Sequence, residues 1–193
     1  MNQPTPLVVV GAGGHGRSVL ELVRLSGAHR VVAFLDDQHP PGTDIMGVPV
    51  WGASSLLDDL STRGVAAVHV AIGNNGTRQA LSERARAAGL TLATLTHPRA
   101  FVSPSAVLGP GSAVMALAAV GTEAVLGDGA IVNMGAVVDH HAQVGAYAHL
   151  GANATMAGGT RIGARAWLQA GSALGYHVHL PDGTVLGPGE GRA

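Results

Sequence analysis

From Val102 onward an aliphatic residue returns at every sixth position, through Leu108, Val114, Val120, Leu126, Val132, Val138, Val144, Leu150, Met156, Ile162, Leu168, Leu174 and Leu180 to Leu186. Two positions ahead of each stands a small residue, from Ala100, Ala106 and Ser112 to Thr160, Ala166 and Ser172, with Val178 and Thr184 closing the series. A repeat of six fits neither the period of an α-helix nor the alternation of a hairpin strand. It predicts a parallel β-helix, each hexad giving one short strand and one corner of a triangular coil. Three hexads to a coil make five coils, a prism about 24 Å tall at about 4.8 Å per rung. The aliphatic ladder fills the narrow interior, and the small residues fit the corners, where a larger side chain would collide with the coil above. Outward positions such as Ala119, Val125, Ile131 and Val137 leave apolar surface outside, which a closed homotrimer packing prism on prism would cover.

The first half alternates differently. Leu7 to Val10 is an apolar run that ends in Gly11-Ala12-Gly13-Gly14-His15-Gly16, and Arg17 to Leu25 follows as an amphipathic helix. A second strand, Val31 to Leu35, runs into Asp36-Asp37. Gly47 to Gly52 reads as a loop with a short edge strand, since Pro49 cannot donate to a central ladder. A helix over Ser54 to Arg63, a strand over Val65 to Ile72, the turn Gly73-Asn74-Asn75-Gly76, a helix over Thr77 to Ala88 and a strand over Thr91 to Leu95 complete the segment. This order predicts an α/β, Rossmann-like domain over residues 1–96, with ligand at the carboxyl ends of its parallel strands. His97-Pro98 marks the passage to an all-β, left-handed parallel β-helix over 97–193.

The glycine turn carries the first candidate chemistry. Gly11, Gly13, Gly14 and Gly16 let the backbone turn sharply and approach a ligand, and the helix start after them favours an anion such as a pyrophosphate. Asp36 and Asp37, about twenty residues on, are placed to accept hydrogen bonds from a ribose or base. G-x-G-x-x-G alone is a weak signal; strand, turn, helix and acidic pair together point to a nucleotide.

Composition narrows the classes. A net charge of −1 gives no basic surface for a phosphate backbone, so nucleic acid is not an expected partner. The absence of cysteine removes thiolate metal sites and thiol nucleophiles. The start, M-N-Q-P-T-P, lacks the pattern of a signal peptide, and no stretch is apolar enough for a membrane span, so a cytoplasmic protein is expected.

Five of the ten histidines lie in the repeat: His140, His141, His149, His177 and His179. Zinc-holding trimeric β-helices share an H-x-x-x-x-H pair that these spacings do not reproduce, and zinc would need the rings to converge at about 2.0–2.1 Å; no metal is expected. His140, two residues past the ladder residue Val138, sits at a corner where its ring can point outward, and imidazole alone changes charge near neutral pH without help.

Taken together, G-A-G-G-H-G-R, the F-L-D-D at Phe34 to Asp37, the A-I-G-N-N at Ala71 to Asn75, the H-P-R-A-F-V-S-P-S-A at His97 to Ala106 and the V-V-D-H-H at Val137 to His141 resemble, in order and spacing, the sugar O- and N-acyltransferases. That family includes sialic-acid O-acetyltransferases and enzymes that N-acetylate nucleotide-linked 4-amino-4,6-dideoxy sugars. The resemblance covers essentially the whole chain. It implies a homotrimer with active sites between neighbouring prisms, acetyl-CoA along the β-helix and a sugar nucleotide held by the N-terminal domain. It places His140 on the family's base and His149 on its second histidine, near the acetyl group. Gly158, Ala170 and Gly171 fall where the backbone of later coils passes the CoA arm. Gly11, Gly13, Gly14, His15, Gly16, Asp36, Asp37, Gly73 and Asn74 fall on the sugar-nucleotide segments.

Two features depart from the family pattern. The carboxylate expected just after the base is replaced by His141, leaving Asp139 as a candidate orienter that only the corner could bring to the ring. The last residues, Gly189 to Ala193, carry no G-x-P-A-K-like motif, so the resemblance brings no CoA contact to them. The function expected is acetyl-CoA-dependent N-acetylation of a nucleotide-linked amino sugar; sugar O-acetylation and non-catalytic nucleotide-sugar binding are the alternatives.

Overall fold

The computed structural model describes residues 4–193; the opening Met-Asn-Gln of the expected uncleaved start lies outside them. A first compact unit ends at Ala93 and a second begins at Thr94.

The first unit consists of β1 (Thr5–Val10), α1 (Gly14–Ser26), β2 (His29–Leu35), β3 (Asp44–Ile45), β4 (Val48–Gly52), β5 (Ala67–Val70), α2 (Asn75–Ala87) and β6 (Thr91–Leu92). The sheet order is β3-β4-β2-β1-β5-β6, parallel throughout except for the β3–β4 pair. Leu7 to Val10 are fully buried, which is why this central strand reads as an unbroken apolar run. On α1 the buried set is Gly16, Val19, Leu20, Leu22 and Val23, one helical face, and Gly27 closes the helix with its N–H on the Val23 carbonyl.

Three expectations are corrected. Ser54 to Arg63 forms two 3₁₀ segments, Ser54–Asp59 and Ser61–Arg63, not an α-helix. Its buried anchors, Leu57 and Leu60, are three apart, a spacing that the three-residue 3₁₀ turn brings to one side. The strand containing Pro49 is not at the sheet edge, because β3 pairs outside it, Asp44 facing Pro49. The expected strand Thr91 to Leu95 divides: Thr91–Leu92 joins the first sheet, whereas Leu95–Thr96 pairs with Ala113–Val114 as a rung of the second unit.

That second unit is a left-handed β-helix of seventeen two-residue strands, from Leu95–Thr96 to Gly191–Arg192, in three parallel sheets of six, six and five strands. The first sheet starts at Leu95, the second at Phe101 and the third at Val107. Each residue pairs with the one eighteen positions on, as in Ala113 with Ile131, Val137 with Thr155 and Gln143 with Arg161. One coil is therefore eighteen residues, and the expected fifteen hexads gain one rung at each end.

The ladder from Val114 to Leu174, with Leu186, is buried, and so are the small residues from Ser112 to Ser172. Both sets pack as one core. Of the four positions expected on the outside, Val125 is exposed and Ala119 and Val137 are half-buried, but Ile131 is 1% exposed, whereas Trp167 and Val185 farther along the same face of the first sheet are exposed. Leu117, Met134, Trp167 and Tyr176 also face solvent.

Every sixth residue from Gly111 to Gly189 has left-handed backbone, φ between 55° and 74°. Seven of these fourteen corners are not glycine: Leu117, Glu123, His141, Tyr147, Asn153, Arg165 and His177. That conformation costs about 1–2 kcal/mol for an L-residue. Hydrogen bonds between coils offset it, such as His141 N–H to the Thr122 carbonyl (2.9 Å) and Gly159 N–H to that of His140 (3.0 Å). Among the described residues no helix is long and apolar enough to cross a membrane.

Candidate functional site

In the first unit, β1 lies between β2 and β5, so the chain leaves the sheet centre in both directions at the carboxyl ends of β1 and β5. A crevice at such a switch point is where open α/β sheets take ligands. The turns that follow these strands are Gly11 to Gly16 and Gly73 to Asn75, and their glycines divide into two kinds. Gly11 has φ 102°, and a Cβ there would stand 2.6 Å from Ile72 Cδ1; one on Gly16 would overlap the Gly11 carbonyl. The fold requires both. Gly13, Gly14 and Gly73 are exposed, and a Cβ on any of them would meet nothing within 4 Å. They leave bare backbone at the rim, beside the start of α1, which has no side-chain cap and no acidic residue in its first turn. His15 is half-buried in that turn.

The acidic pair serves the fold. Asp36 Oδ2 accepts the Ala12 N–H at 2.7 Å, and Oδ1 accepts the Gln38 and His39 N–H groups at 2.8 and 3.1 Å and lies 2.8 Å from His39 Nδ1. Burial pushes the Asp36 carboxyl up, but the donors from Ala12, His39 and Gln38 outweigh it and hold the pKa below 3.8. Asp36 thus holds the glycine turn itself. Asp37 accepts the Ser54 N–H at 2.8 Å and its hydroxyl at 3.0 Å. Asn74 caps α2 by accepting the Thr77 N–H at 2.9 Å. Sequence reasoning missed Arg78: fully buried, it donates to the carbonyls of Ile72 and Gly73 and to Asn75 Oδ1, bracing the second turn.

In the second unit the corner after Val137–Val138 brings four of the expected residues together. Asp139 Oδ1 accepts the His140 N–H at 2.6 Å, and Oδ2 stands 3.9 Å from His140 Nε2, near but not hydrogen-bonded. His140 Nδ1 and His141 Nδ1 are 3.0 Å apart, with the rings edge to face. His141 Nε2 in turn lies 3.1 Å from Glu123 Oε2. The His140 ring occupies the space over Gly158, where a Cβ would come within 2.5 Å of Nε2. Glu123 was not read as a site residue. The signal that finds it is the coil length: eighteen residues back from His141.

The other expected residues stand elsewhere on the prism. His149 projects from the first sheet, beside the inward Leu150, and stacks on Trp167 of the next coil at 5.9 Å. Ala170 and Gly171 form the exposed corner between the first and second sheets, where the Ala170 carbonyl accepts the Gly189 N–H. A shallow groove of about 390 Å³ follows the third sheet past Val125, Gln143, Arg161 and His179. Among the described residues, no group of three or more histidines and carboxylates converges as a metal site. His140, half-exposed, with Nδ1 engaged and Nε2 without a hydrogen bond among the described residues, is an arrangement that can accept a proton from a bound nucleophile.

Comparison with known proteins agrees with this division. Residues 6–85 match the family model of the PglD N-terminal domain. The chain is 32% identical over 102 residues to UDP-N-acetylbacillosamine N-acetyltransferase of Bacillus subtilis; that match takes in 51% of this chain and 46% of the Bacillus protein, less than half the length of that curated relative. Among solved structures, a histidine-to-asparagine variant of perosamine N-acetyltransferase from Caulobacter crescentus, in complex with CoA and GDP-perosamine, superimposes with a TM-score of 0.94 at 40% identity, over 97% of this chain and 88% of that one. The acetyltransferase domain of PglB from Neisseria gonorrhoeae does so with 0.93 at 38% identity, over 100% and 92%. With the same two units in the same order, the chain belongs to the sugar acyltransferase family in which a PglD-type N-terminal domain precedes a left-handed β-helix.

Proposed function

We propose that this protein is an acetyl-CoA-dependent N-acetyltransferase acting on a nucleotide-linked amino sugar, of the 4-amino-4,6-dideoxy type. The observation that carries the reading is the corner histidine pair, which engages His140 Nδ1 and leaves Nε2 without a hydrogen bond among the described residues. The bare glycine rim of the first unit, at Gly13, Gly14 and Gly73, supports nucleotide binding there. The relatives' complexes with CoA and GDP-perosamine support both substrates.

The sugar amine adds to the thioester carbonyl of acetyl-CoA, and His140 Nε2 takes the proton the nitrogen loses. A backbone N–H of the β-helix stabilises the oxyanion. Collapse of the tetrahedral intermediate forms the amide and expels the CoA thiolate, which takes the proton back from His140. Asp139 Oδ2, 3.9 Å from Nε2, stabilises the imidazolium between these steps. The working form is a homotrimer in the cytoplasm. Support for the trimer comes from the exposed Leu117, Val125, Met134, Trp167 and Tyr176, and from the placing of His140, His149 and Ala170 on different faces of one chain.

General-base assistance is typically worth about 10²–10⁴-fold, so His140→Ala should lose that much kcat while keeping its melting temperature. The measurement is CoA thiol release with UDP- and GDP-linked 4-amino sugars. Near wild-type kcat in the variant, or no thiol release with any amino sugar, overturns the reading.

A further inference from the structure

A neutral imidazole has one N–H and one lone pair, and a base must present its lone pair to the substrate. At the His140 corner both rings meet through their Nδ1 atoms, 3.0 Å apart, so one Nδ1 donates and the other accepts. The two possibilities have opposite consequences. If His140 accepts at Nδ1, its proton sits on Nε2 and it cannot act as a base. If it donates from Nδ1, Nε2 carries the lone pair.

What decides between them is the far side of His141. Its Nε2 lies 3.1 Å from Glu123 Oε2, a charge contact not aligned as a hydrogen bond, and the negative charge there favours a proton on the nearer ring nitrogen. Glu123 therefore holds the His141 proton on Nε2 and leaves Nδ1 as an acceptor, and His140 must then donate from Nδ1. Asp139 cannot do this: one of its oxygens holds the His140 backbone N–H, and the other stands on the Nε2 side of the ring. We propose that Glu123, one coil back from the corner, is the positioning residue of the site, fixing the His140 tautomer through His141 and standing in for the carboxylate missing after the base.

The inference rests on the acetyl-transfer reading, with His140 as base. Glu123 and His141 are both more than half exposed in the single chain, so the pair is worth a modest factor, about twofold to fivefold in rate. Glu123→Ala should lower kcat by that factor and leave both KM values unchanged. Glu123→Gln, which keeps the shape but removes the charge, should lose activity by the same factor.

A second readout does not depend on turnover. With histidine labelled by ¹⁵N, and with His140 and His141 assigned from single variants, long-range ¹H–¹⁵N spectra at about pH 8 report which ring nitrogen is protonated. The expected pattern is protonated Nδ1 on His140 and protonated Nε2 on His141, redistributed in both Glu123→Gln and Glu123→Ala. An unchanged pattern in Glu123→Ala, or a redistribution caused by Asp139→Asn instead, overturns the proposal. If wild type releases no thiol, the acetyl-transfer reading falls, while the ring pattern still decides what Glu123 does.

Discussion

Gly158 shows how a single atom sets the geometry of the proposed base, His140. The residue is eighteen positions past His140, and its missing side chain is the space in which the imidazole rests. Its backbone lies outside the left-handed region, so alanine is tolerated by the chain and the cost falls on the ring. Gly158→Ala should leave the melting temperature within about a degree or two and lower kcat on the order of 10²-fold, the usual effect of displacing a reacting group by about 1 Å. Comparing thermal unfolding with thiol release separates the two effects. The resemblance places Gly158 near the CoA arm; in this chain its backbone also faces the His140 ring. Such contacts are hard to read from sequence because the partners are far apart along the chain. Asp139, His140 and His141 stand together in the sequence, whereas Glu123 and Gly158 each join them from one coil away.

At the scale of the elements, strand and helix positions were legible wherever burial is one-sided or complete, as on α1 and β1. The Ser54 to Arg63 stretch misled because Leu57 and Leu60 satisfy a three-residue turn as well as a helical one. Leu95 misled because one aliphatic residue does not say which sheet it will join. Polar residues inside a strand gave no signal, and His69 on β5 is the case in point. Its Nδ1–H donates to the Ala93 carbonyl at 2.9 Å, tying β5 to the chain just past β6. Burial, with Arg78 and His29 adding like charge, lowers its pKa from 6.5 to about 4, against the opposing pull of the Ala93 carbonyl. Between those values the unfolded chain binds a proton that the folded chain refuses. Stability is therefore full above pH 6.5 and falls as pH drops toward 4, by a total of about 3 kcal/mol. Urea unfolding should show that loss between pH 7.5 and pH 4.5. It should be largely absent in His69→Asn, whose amide can still donate to Ala93.

For the whole molecule, the fold of both halves followed from two periodicities, but assembly did not, because a repeat specifies its inside far more tightly than its outside. His140 sits between the second and third sheets, and His149 projects from the first. If both serve one active site, neighbouring chains must supply them. Co-refolding equal amounts of His140→Ala and His149→Ala, each impaired alone, should restore about a quarter of the wild-type sites, the fraction of boundaries at which both intact histidines meet by chance. No recovery would mean that each chain works alone.

The eighteen-residue coil also bears on how such a protein changes over generations. In a chain wound this way, distance along the gene and distance in space part company. A substitution at one corner is felt one coil earlier and one coil later, so compensating mutations should pair at that interval, not with adjacent codons. A lineage that loses the acid beside its base can recover one from the coil before, and the tie between Glu123 and His141 has the form such a replacement would take.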